Sequence, residues 1–461
     1  MAWTPFVLIA LALVGACAQR AVAPGRRWAV LLAFSYAFYA LLASPWLLAV
    51  LWVCSLWIYR AGPYVFKRRL SEGRATALGM ALSPLLVLLL FIKLESGWIA
   101  WLGVSYFLFA AVSYLADIYL GDAQPEPDFG LLALYLAFFP KLVQGPVERA
   151  GAFLGQAREG RIADPATLGA AARLFAWGLF KKAVIADRLA PFVASIYDAK
   201  VLPQGPGLVW GTALFAAQLF ADFSGYTDMA RGVAGLLGID LVENFDAPFA
   251  ATSTTDFWRR WHISFSNWIR DYVFQPLQMA LRNWGTYGTI AALFATYILV
   301  ALWHDHRRAY LYWGLMEAWC MAWYVLWRPW QKKLHRALGL ERTRVLRLWQ
   351  ISVTLALTLF SLIFFRAANL PQARALVRGL AIGWSLDGQA WKALALGGQE
   401  PLELGLAVAG VALMVLGWAW RERWRPIRSG ALRYALDFGL LTGILLFGRF
   451  FAAKQFIYAQ F

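Results

Sequence analysis

Charge is what this sequence has little of. Of its 461 residues only 15% are Asp, Glu, Lys or Arg, against about 25% in soluble domains. Hydrophobic residues make up 61%, too many for a water-facing surface, so a soluble globular protein is excluded. Cysteine is scarce as well. Cys17, Cys54 and Cys320 lie far apart in apolar segments. That spacing excludes a disulfide framework and a cysteine-rich metal site, and they read as small core residues. Histidine occurs four times, as His262, His304, His306 and His335. His304, Asp305 and His306 suggest metal only weakly, and no ligand cluster supports zinc. There is no phosphate-binding glycine loop and no serine-nucleophile elbow. Repeats, low-complexity tracts and a water-soluble domain are also missing.

Long apolar runs are what the chain has instead. The mean hydropathy is +0.55, and runs near the roughly 20 residues that cross a bilayer recur throughout. They extend from 3–19 to 433–451 and include 129–143, 168–190 and 207–221. The expected fold is an all-α polytopic membrane protein of roughly 10–13 hydrophobic helices around a central polar cavity, some helices short or re-entrant. One membrane domain is expected over 1–461: N-terminal helices at 1–120, a polar-rich core at 130–330 and C-terminal helices at 345–461. The acidic, proline-broken stretch Gly121–Asp128 marks a hinge. The first run follows no Lys or Arg, so it reads as a membrane helix rather than a signal peptide.

The net charge of +17 does not point to nucleic acid. The cations sit in short loops around Arg26, Arg68, Lys332 and Arg425, which the positive-inside rule places in the cytoplasm. Both ends and the stretch 367–400 then fall outside.

The polar residues gather in the middle third. Thr254-Thr255-Asp256-Phe257-Trp258-Arg259-Arg260-Trp261-His262-Ile263-Ser264 is the densest group. Read as one helix capped by Thr254 or Thr255, it puts Trp258, Trp261, Phe265, Trp268 and Tyr272 on one face, with His262 at the seam of a polar stripe. An interfacial helix with snorkelling arginines explains the aromatic and basic residues. It does not explain a titratable imidazole. Asp222, Ser224, Tyr226 and Asp228 follow an apolar run directly, either as a network joining helices or as the lining of a substrate cavity. Pro140 and Pro146 break the end of run 129–143, where freed backbone needs a protein or water-lined partner. His304 closes the run 289–302.

These segments resemble the central signature of the membrane-bound O-acyltransferase family. Asn244-Phe245-Asp246-Ala247-Pro248-Phe249 and Thr255–Ser264 carry the likeness. Gln144-Gly145-Pro146, Lys181-Lys182 with Asp187, Asp222–Ala230, Leu302-Trp303-His304 and Phe364-Phe365-Arg366 extend it. The branch is the one that acylates alginate and D-alanylates teichoic acid.

The resemblance implies acyl transfer from a cytosolic thioester, an acyl-CoA (acetyl-CoA above all) or an acyl carrier, to a hydroxyl of a cell-surface or secreted polysaccharide. His304 and His262 match the family's two histidines and are the expected catalytic residues. No bound cofactor or metal is expected. Arg259, Arg260 and Lys182 are candidate donor contacts; Asp222, Ser224, Tyr226 and Asp228 are candidate cavity residues. Asp305 replaces the glycine usual after the motif histidine, and it would orient the imidazole or narrow the tunnel. The ending Phe456–Phe461 resembles the branch's aromatic C-terminal motif, making Tyr458 either an acyl relay or an interfacial anchor. A multi-pass protein of a bacterial-type inner membrane follows, with lipids around it and an extracytoplasmic transferase or glycan outside. Two other readings stand: a lipid or protein acyltransferase using a longer acyl donor, and a transporter or flippase of a lipid-linked substrate.

Overall fold

The apolar runs become helices whose ends are set by local chemistry. A computed structural model of the chain describes residues 4–42, 45–94, 103–199, 202, 204–384, 400–420 and 430–450. Among these, regular structure is helical apart from one isolated antiparallel bridge, Phe245 to Trp261. The N-terminal part comprises α1 (Thr4–Arg20), α2 (Arg27–Leu42), α3 (Pro45–Arg68) and α4 (Arg74–Leu94). Next come α5 (Val104–Leu120), α6 (Phe129–Ala137), α7 (Phe139–Leu142), α8 (Ala150–Glu159), α9 (Pro165–Phe180), α10 (Asp187–Tyr197) and α11 (Gly205–Leu236). The polar segment forms α12 (Thr254–Arg260), α13 (Ile263–Ile269) and α14 (Gln275–Ala280). Then follow α15 (Gly285–His304), α16 (Arg308–Ala337), α17 (Arg344–Arg366), α18 (Leu370–Gly379), α19 (Pro401–Trp420) and α20 (Gly430–Phe447).

Among the described residues, five helical stretches are long and apolar enough to cross a membrane: Trp46–Arg68, Arg74–Lys93, Arg282–His304, Arg344–Arg366 and Gly430–Phe447. The chain is a multi-pass membrane protein. Side-chain caps fix several helix starts. Asp128 accepts from the N–H groups of Gly130 and Leu131, and Asp164 from that of Thr167. Each satisfies donors that the first helical turn leaves open.

Two expected spans divide and a third lengthens. The run 129–143 breaks into α6 and the one-turn α7, with Phe138 extended and Pro140 in α7's first turn. Proline tolerates that position because the N–H it lacks would be unpaired anyway. The backbone at the break is satisfied within the protein: Phe139 N–H donates to Ser35 Oγ at 3.2 Å. The run 168–190 is interrupted by a π-helical turn at Lys181–Ala186. The run 207–221 lengthens to the 32 residues of α11, which takes Asp222–Asp228 into its interior.

α9 and α11 pack with their backbones in close approach. A β-carbon on Gly178 would stand 2.4 Å from Gly225 O, and one on Gly232 would stand 2.7 Å from Ala171 O. Only glycine permits that approach, the usual device for helices that gain no hydrophobic drive within a bilayer. One buried core joins α1–α6 to the paired ends of α9 and α11. A second joins α10 and α11 to α13 and α15–α19, and the histidine motifs lie inside it.

The largest departure from the sequence pattern is at His262. The expected single helix from Thr254 to Tyr272 is two short helices at an angle. Its cap is Ser253, whose hydroxyl accepts from Asp256 N–H, and not Thr254 or Thr255. Between α12 and α13, His262 takes left-handed backbone angles, φ 45° and ψ 53°. Segment 244–246 imposes the break: Ile263 N–H donates to Asn244 O at 2.9 Å, and Asp246 N–H to Arg260 O at 2.9 Å. Non-glycine residues hold this conformation only when their surroundings over-determine it, and such strain collects at functional sites.

Candidate active site

The break turns His262 inward. Its ring is 2% exposed, stacked on Phe265 at 5.0 Å and edge-on to Phe223 at 4.7 Å. Its Nδ1 lies 3.0 Å from Asn244 Oδ1, and its Nε2 is buried without a protein partner. Burial penalises the imidazolium and pushes this histidine down to about 3, so the ring is neutral at physiological pH.

His304 ends α15 and is also buried. Trp303, Trp313 and Phe365 surround its ring at 4.5, 5.3 and 5.4 Å. His262 and His304 line one cavity with Trp258, Trp313, Glu317, Thr358, Ser361 and Phe365. The space inside is about 30 Å³, enough for a water or two but not for a long chain.

Polar side chains continue from this cavity along α17. Ser361, Thr358 and Thr354 are buried on one face at helical spacing. Glu317 of α16 stands opposite and accepts from Trp258 Nε1 at 3.2 Å. Thr354 reaches a larger cavity of about 660 Å³, lined by Arg328, Lys332, His335, Trp319, Trp323 and Trp349. From Thr354 to Phe365 the helix climbs about 16 Å at 1.5 Å per residue. A basic, aromatic vestibule, a polar stripe and a two-histidine cavity therefore follow one another.

The other sequence candidates fall elsewhere. Lys182 Nζ is buried between Asp222 Oδ1 at 2.7 Å and Asp187 Oδ1 at 2.9 Å. Lys181 Nζ binds Asp228 at 2.7 Å and Ser224 Oγ at 3.0 Å. These pairs lock the π turn onto α11, so the polar group 222–228 joins helices. Ser224 and Asp228 also face a separate cavity of about 790 Å³ between α9, α11, α19 and α20. Tyr226 donates to Pro140 O at 3.5 Å. Arg260 pairs with Asp256 at 2.8 Å, and Arg259 is exposed in α12's last turn. Asp305 accepts from the backbone N–H of Arg307 at 2.8 Å and from its Nε at 2.7 Å. Tyr458 lies outside the described residues.

The sequence alone gave no site role to Asn244, Glu317, Arg328, Lys332 or His335. Glu317 carried a usable signal, being a carboxylate inside the apolar run 309–327. The vestibule carried none, because it forms only where α16 and α17 meet the turn at 252–254.

The fold and site are those of a multi-pass helical membrane protein with two buried histidines in one aromatic-walled cavity. Residues 122–363, more than half of the chain, match the family model described as MBOAT, membrane-bound O-acyltransferase family. The chain belongs to the membrane-bound O-acyltransferase family. It is 35% identical over 276 residues to the probable alginate O-acetylase AlgI of Pseudomonas aeruginosa, covering 59% of this chain and 50% of that protein. It is 28% identical over 312 residues to the peptidoglycan O-acetyltransferase of Helicobacter pylori, 60% and 56% of the two chains. With the teichoic acid D-alanyltransferase of Bacillus subtilis it shares 29% identity over 256 residues, 51% and 61%. The chain spans about half the length of the alginate-type relatives it matches.

Proposed function

We propose that this protein is an O-acyltransferase of a bacterial-type inner membrane. It takes an acetyl group from a cytosolic thioester and delivers it to hydroxyls of a cell-surface or secreted polysaccharide. The observation that carries this reading is the pair His262 and His304 in one small buried cavity, joined by a polar stripe to a basic vestibule. An unactivated hydroxyl is a poor nucleophile, and a neutral imidazole removes its proton near neutral pH. One imidazole takes that proton while the other holds the acyl group. The aromatic walls keep out the water that would hydrolyse a thioester.

The vestibule belongs to the donor in this reading. Lys332, His335 and Arg336 cluster at one end of α16, and Arg344 and Arg347 at the start of α17. Cations concentrate on the cytoplasmic side of membrane proteins, which orients the vestibule to the cytosol. Arg328 and Lys332 suit the phosphates of coenzyme A or of a carrier's phosphopantetheine, and the tryptophans suit stacking. This donor role replaces the one first considered for Lys182. The small histidine cavity favours acetyl over a longer chain. The aromatic constriction between vestibule and histidines counts against a transporter, which must pass its whole substrate. Outside, a partner transferase or the glycan receives the group, with Tyr458 as a candidate relay.

The test uses proteoliposomes supplied with labelled acetyl-CoA on the vestibule side and an oligosaccharide acceptor on the other. Ester formation is expected. In His304→Ala it should fall by about two orders of magnitude or more, the usual worth of a general base or its equivalent. Near-normal esterification by a well-folded His304→Ala protein would sink the reading, and labelled acetate crossing without ester formation would favour transport.

A further inference from the structure

We propose that the cavity between α9, α11, α19 and α20 holds one zwitterionic phospholipid of the cytoplasmic leaflet. Its phosphate sits between Arg173 and Arg231, and its ammonium beside Asp437 and Glu243. The site is separate from the histidine cavity and holds whether or not the acyl-transfer reading does.

The cavity, about 790 Å³, changes character with depth. From Phe220 to Arg231, both in its wall, α11 rises about 16 Å at 1.5 Å per residue. One leaflet contributes about 15 Å to the hydrocarbon core, so the cavity is as deep as a leaflet. Its lower walls are Phe180, Phe220, Phe245, Met414 and Leu440. Its charged level holds Arg173, Arg231, Glu243 and Asp437. Asp437 precedes Leu440 on α20, which follows the basic stretch 421–428. Positive charge marks the cytoplasmic side, so the charged level faces the cytosol and the aromatic level the middle of the bilayer. An inner-leaflet lipid has the same polarity.

The wall formed by 243–245 repeats that order. Glu243 Oε1 lies 3.4 Å from Arg231 Nη2, and Phe245 packs edge-on against Phe220 at 5.4 Å. Between them Asn244 lines the cavity, and its Nδ2 is buried without a protein partner. A buried amide donor needs an acceptor. The ester carbonyl of a lipid, which joins a charged head to an apolar chain, supplies one at this level. Asn244 Oδ1 is 3.0 Å from His262 Nδ1, so the lipid and that histidine share one supporting residue.

The two arginines stand at one depth. A β-carbon on Gly232 would lie 2.7 Å from both Ala171 O and Phe175 N, which brings Arg231 of α11 level with Arg173 of α9. Their ion pairs are long, 3.5 Å from Arg173 to Asp437 and 3.4 Å from Arg231 to Glu243. Charge-assisted pairs usually close to about 2.7–2.9 Å, and each guanidinium has five N–H donors to offer. Lys181 and Asp228, the other charged groups in the wall, do close, at 2.7 Å. Two loosely held cations and two loosely held anions suit a phosphate joined to an ammonium better than an anionic head group, which would leave both carboxylates unmatched.

The full chain, stripped of lipid in detergent, is offered phospholipids with equal acyl chains and phosphoethanolamine, phosphocholine or phosphoglycerol heads. Native mass spectrometry counts bound lipid, and thermal unfolding reads its effect. One phosphoethanolamine lipid per chain should outlast the others and raise Tm by about 3 °C or more. Arg173→Gln with Arg231→Gln should weaken retention about tenfold or more. Asp437→Asn with Glu243→Gln should erase the preference for ethanolamine over choline, whose quaternary ammonium donates no hydrogen bond. Gly439 lines the cavity, and a β-carbon there meets nothing within 4 Å. Gly439→Trp should therefore fill the space and abolish retention without disturbing the fold. Equal retention of the three lipids overturns the proposal, since lipids that merely coat the protein behave so. Retention unchanged in Gly439→Trp overturns it too, as does a membrane-helix polypeptide found seated in the cavity. Should the paired arginine variant not fold, Gly439→Trp and the head-group ranking decide.

Discussion

Trp258 Nε1 donates to Glu317 Oε2 at 3.2 Å, tying α12 to α16 where the polar stripe enters the histidine cavity. Trp258 also meets Trp313 edge-on at 6.3 Å, and both indoles line the roughly 30 Å³ space. The bond therefore fixes one aromatic wall of the cavity that holds the two histidines.

Removing that wall should relax the choice of acyl group. In Trp258→Ala the ratio of kcat/KM for butyryl to acetyl thioester is expected to rise about tenfold, since a few methylenes in an apolar pocket are worth one to two orders of magnitude. The comparison needs both donors with one acceptor. An unchanged ratio would locate chain-length selection elsewhere.

The vestibule cations and Lys182 should fail in different ways. Arg328→Gln with Lys332→Gln is expected to raise the donor KM about tenfold, more at low salt than at high, with kcat near normal. Lys182→Met should instead leave Asp222 and Asp187 as buried, uncompensated carboxylates, costing about 3–5 kcal/mol of stability. Thermal unfolding in detergent would show the second effect, and donor titration the first. A normal melting temperature with a raised KM in Lys182→Met would restore that lysine as a donor contact.

Stability should depend on pH through His262. Burial lowers this group from 6.5 to about 3 in the folded chain. Between those values the unfolded chain holds the proton and the folded chain does not. The contribution is therefore full above about pH 6.5 and is lost as pH falls towards 3. His262→Gln, neutral throughout, should flatten the fall of Tm between pH 6.5 and 4. Equal slopes for the two proteins would mean that the ring protonates in place.

Tyr458 separates a relay from an anchor. A phenol with a pKa near 10 leaves an ester more readily than an alcohol does, which suits a carrier. Tyr458→Phe keeps the aromatic ring and removes the hydroxyl. Delivery to an outer acceptor should fall by about tenfold or more if the phenol carries the group. Normal delivery makes the residue an anchor.

The membrane class, the helical fold and the two histidines were legible in the order of residues. Hydropathy is a sum along the chain, so span-length apolar runs declare themselves without any knowledge of neighbours. Rare polar groups stand out against such a background, which is why His262, His304 and Lys182 drew attention at once. The division of labour among those groups was not legible. Lys182 and Arg260 look alike as cations in a sequence, yet one is sealed between two carboxylates and the other lies in a partly exposed pair.

The aromatic spacing from Trp258 to Tyr272 fits an unbroken helix. Only the pairing of 244–246 with 260–263 turns it into two helices with a left-handed His262 between them. Local periodicity reports what a segment would do alone; a backbone hydrogen bond to a strand-like neighbour 19 residues away, Ile263 N–H to Asn244 O, overrides it. Asn244 shows the same limit. Its residue type was in plain view, but the convergence of Ser264 N–H, Ser264 Oγ and His262 Nδ1 on its side-chain oxygen is a property of the folded chain. The sequence by itself determined that this protein lives in a membrane and carries two unusual histidines. The tertiary structure decided which cavity they share and which side chains wall it, because residues far apart in the chain meet only once the helices pack.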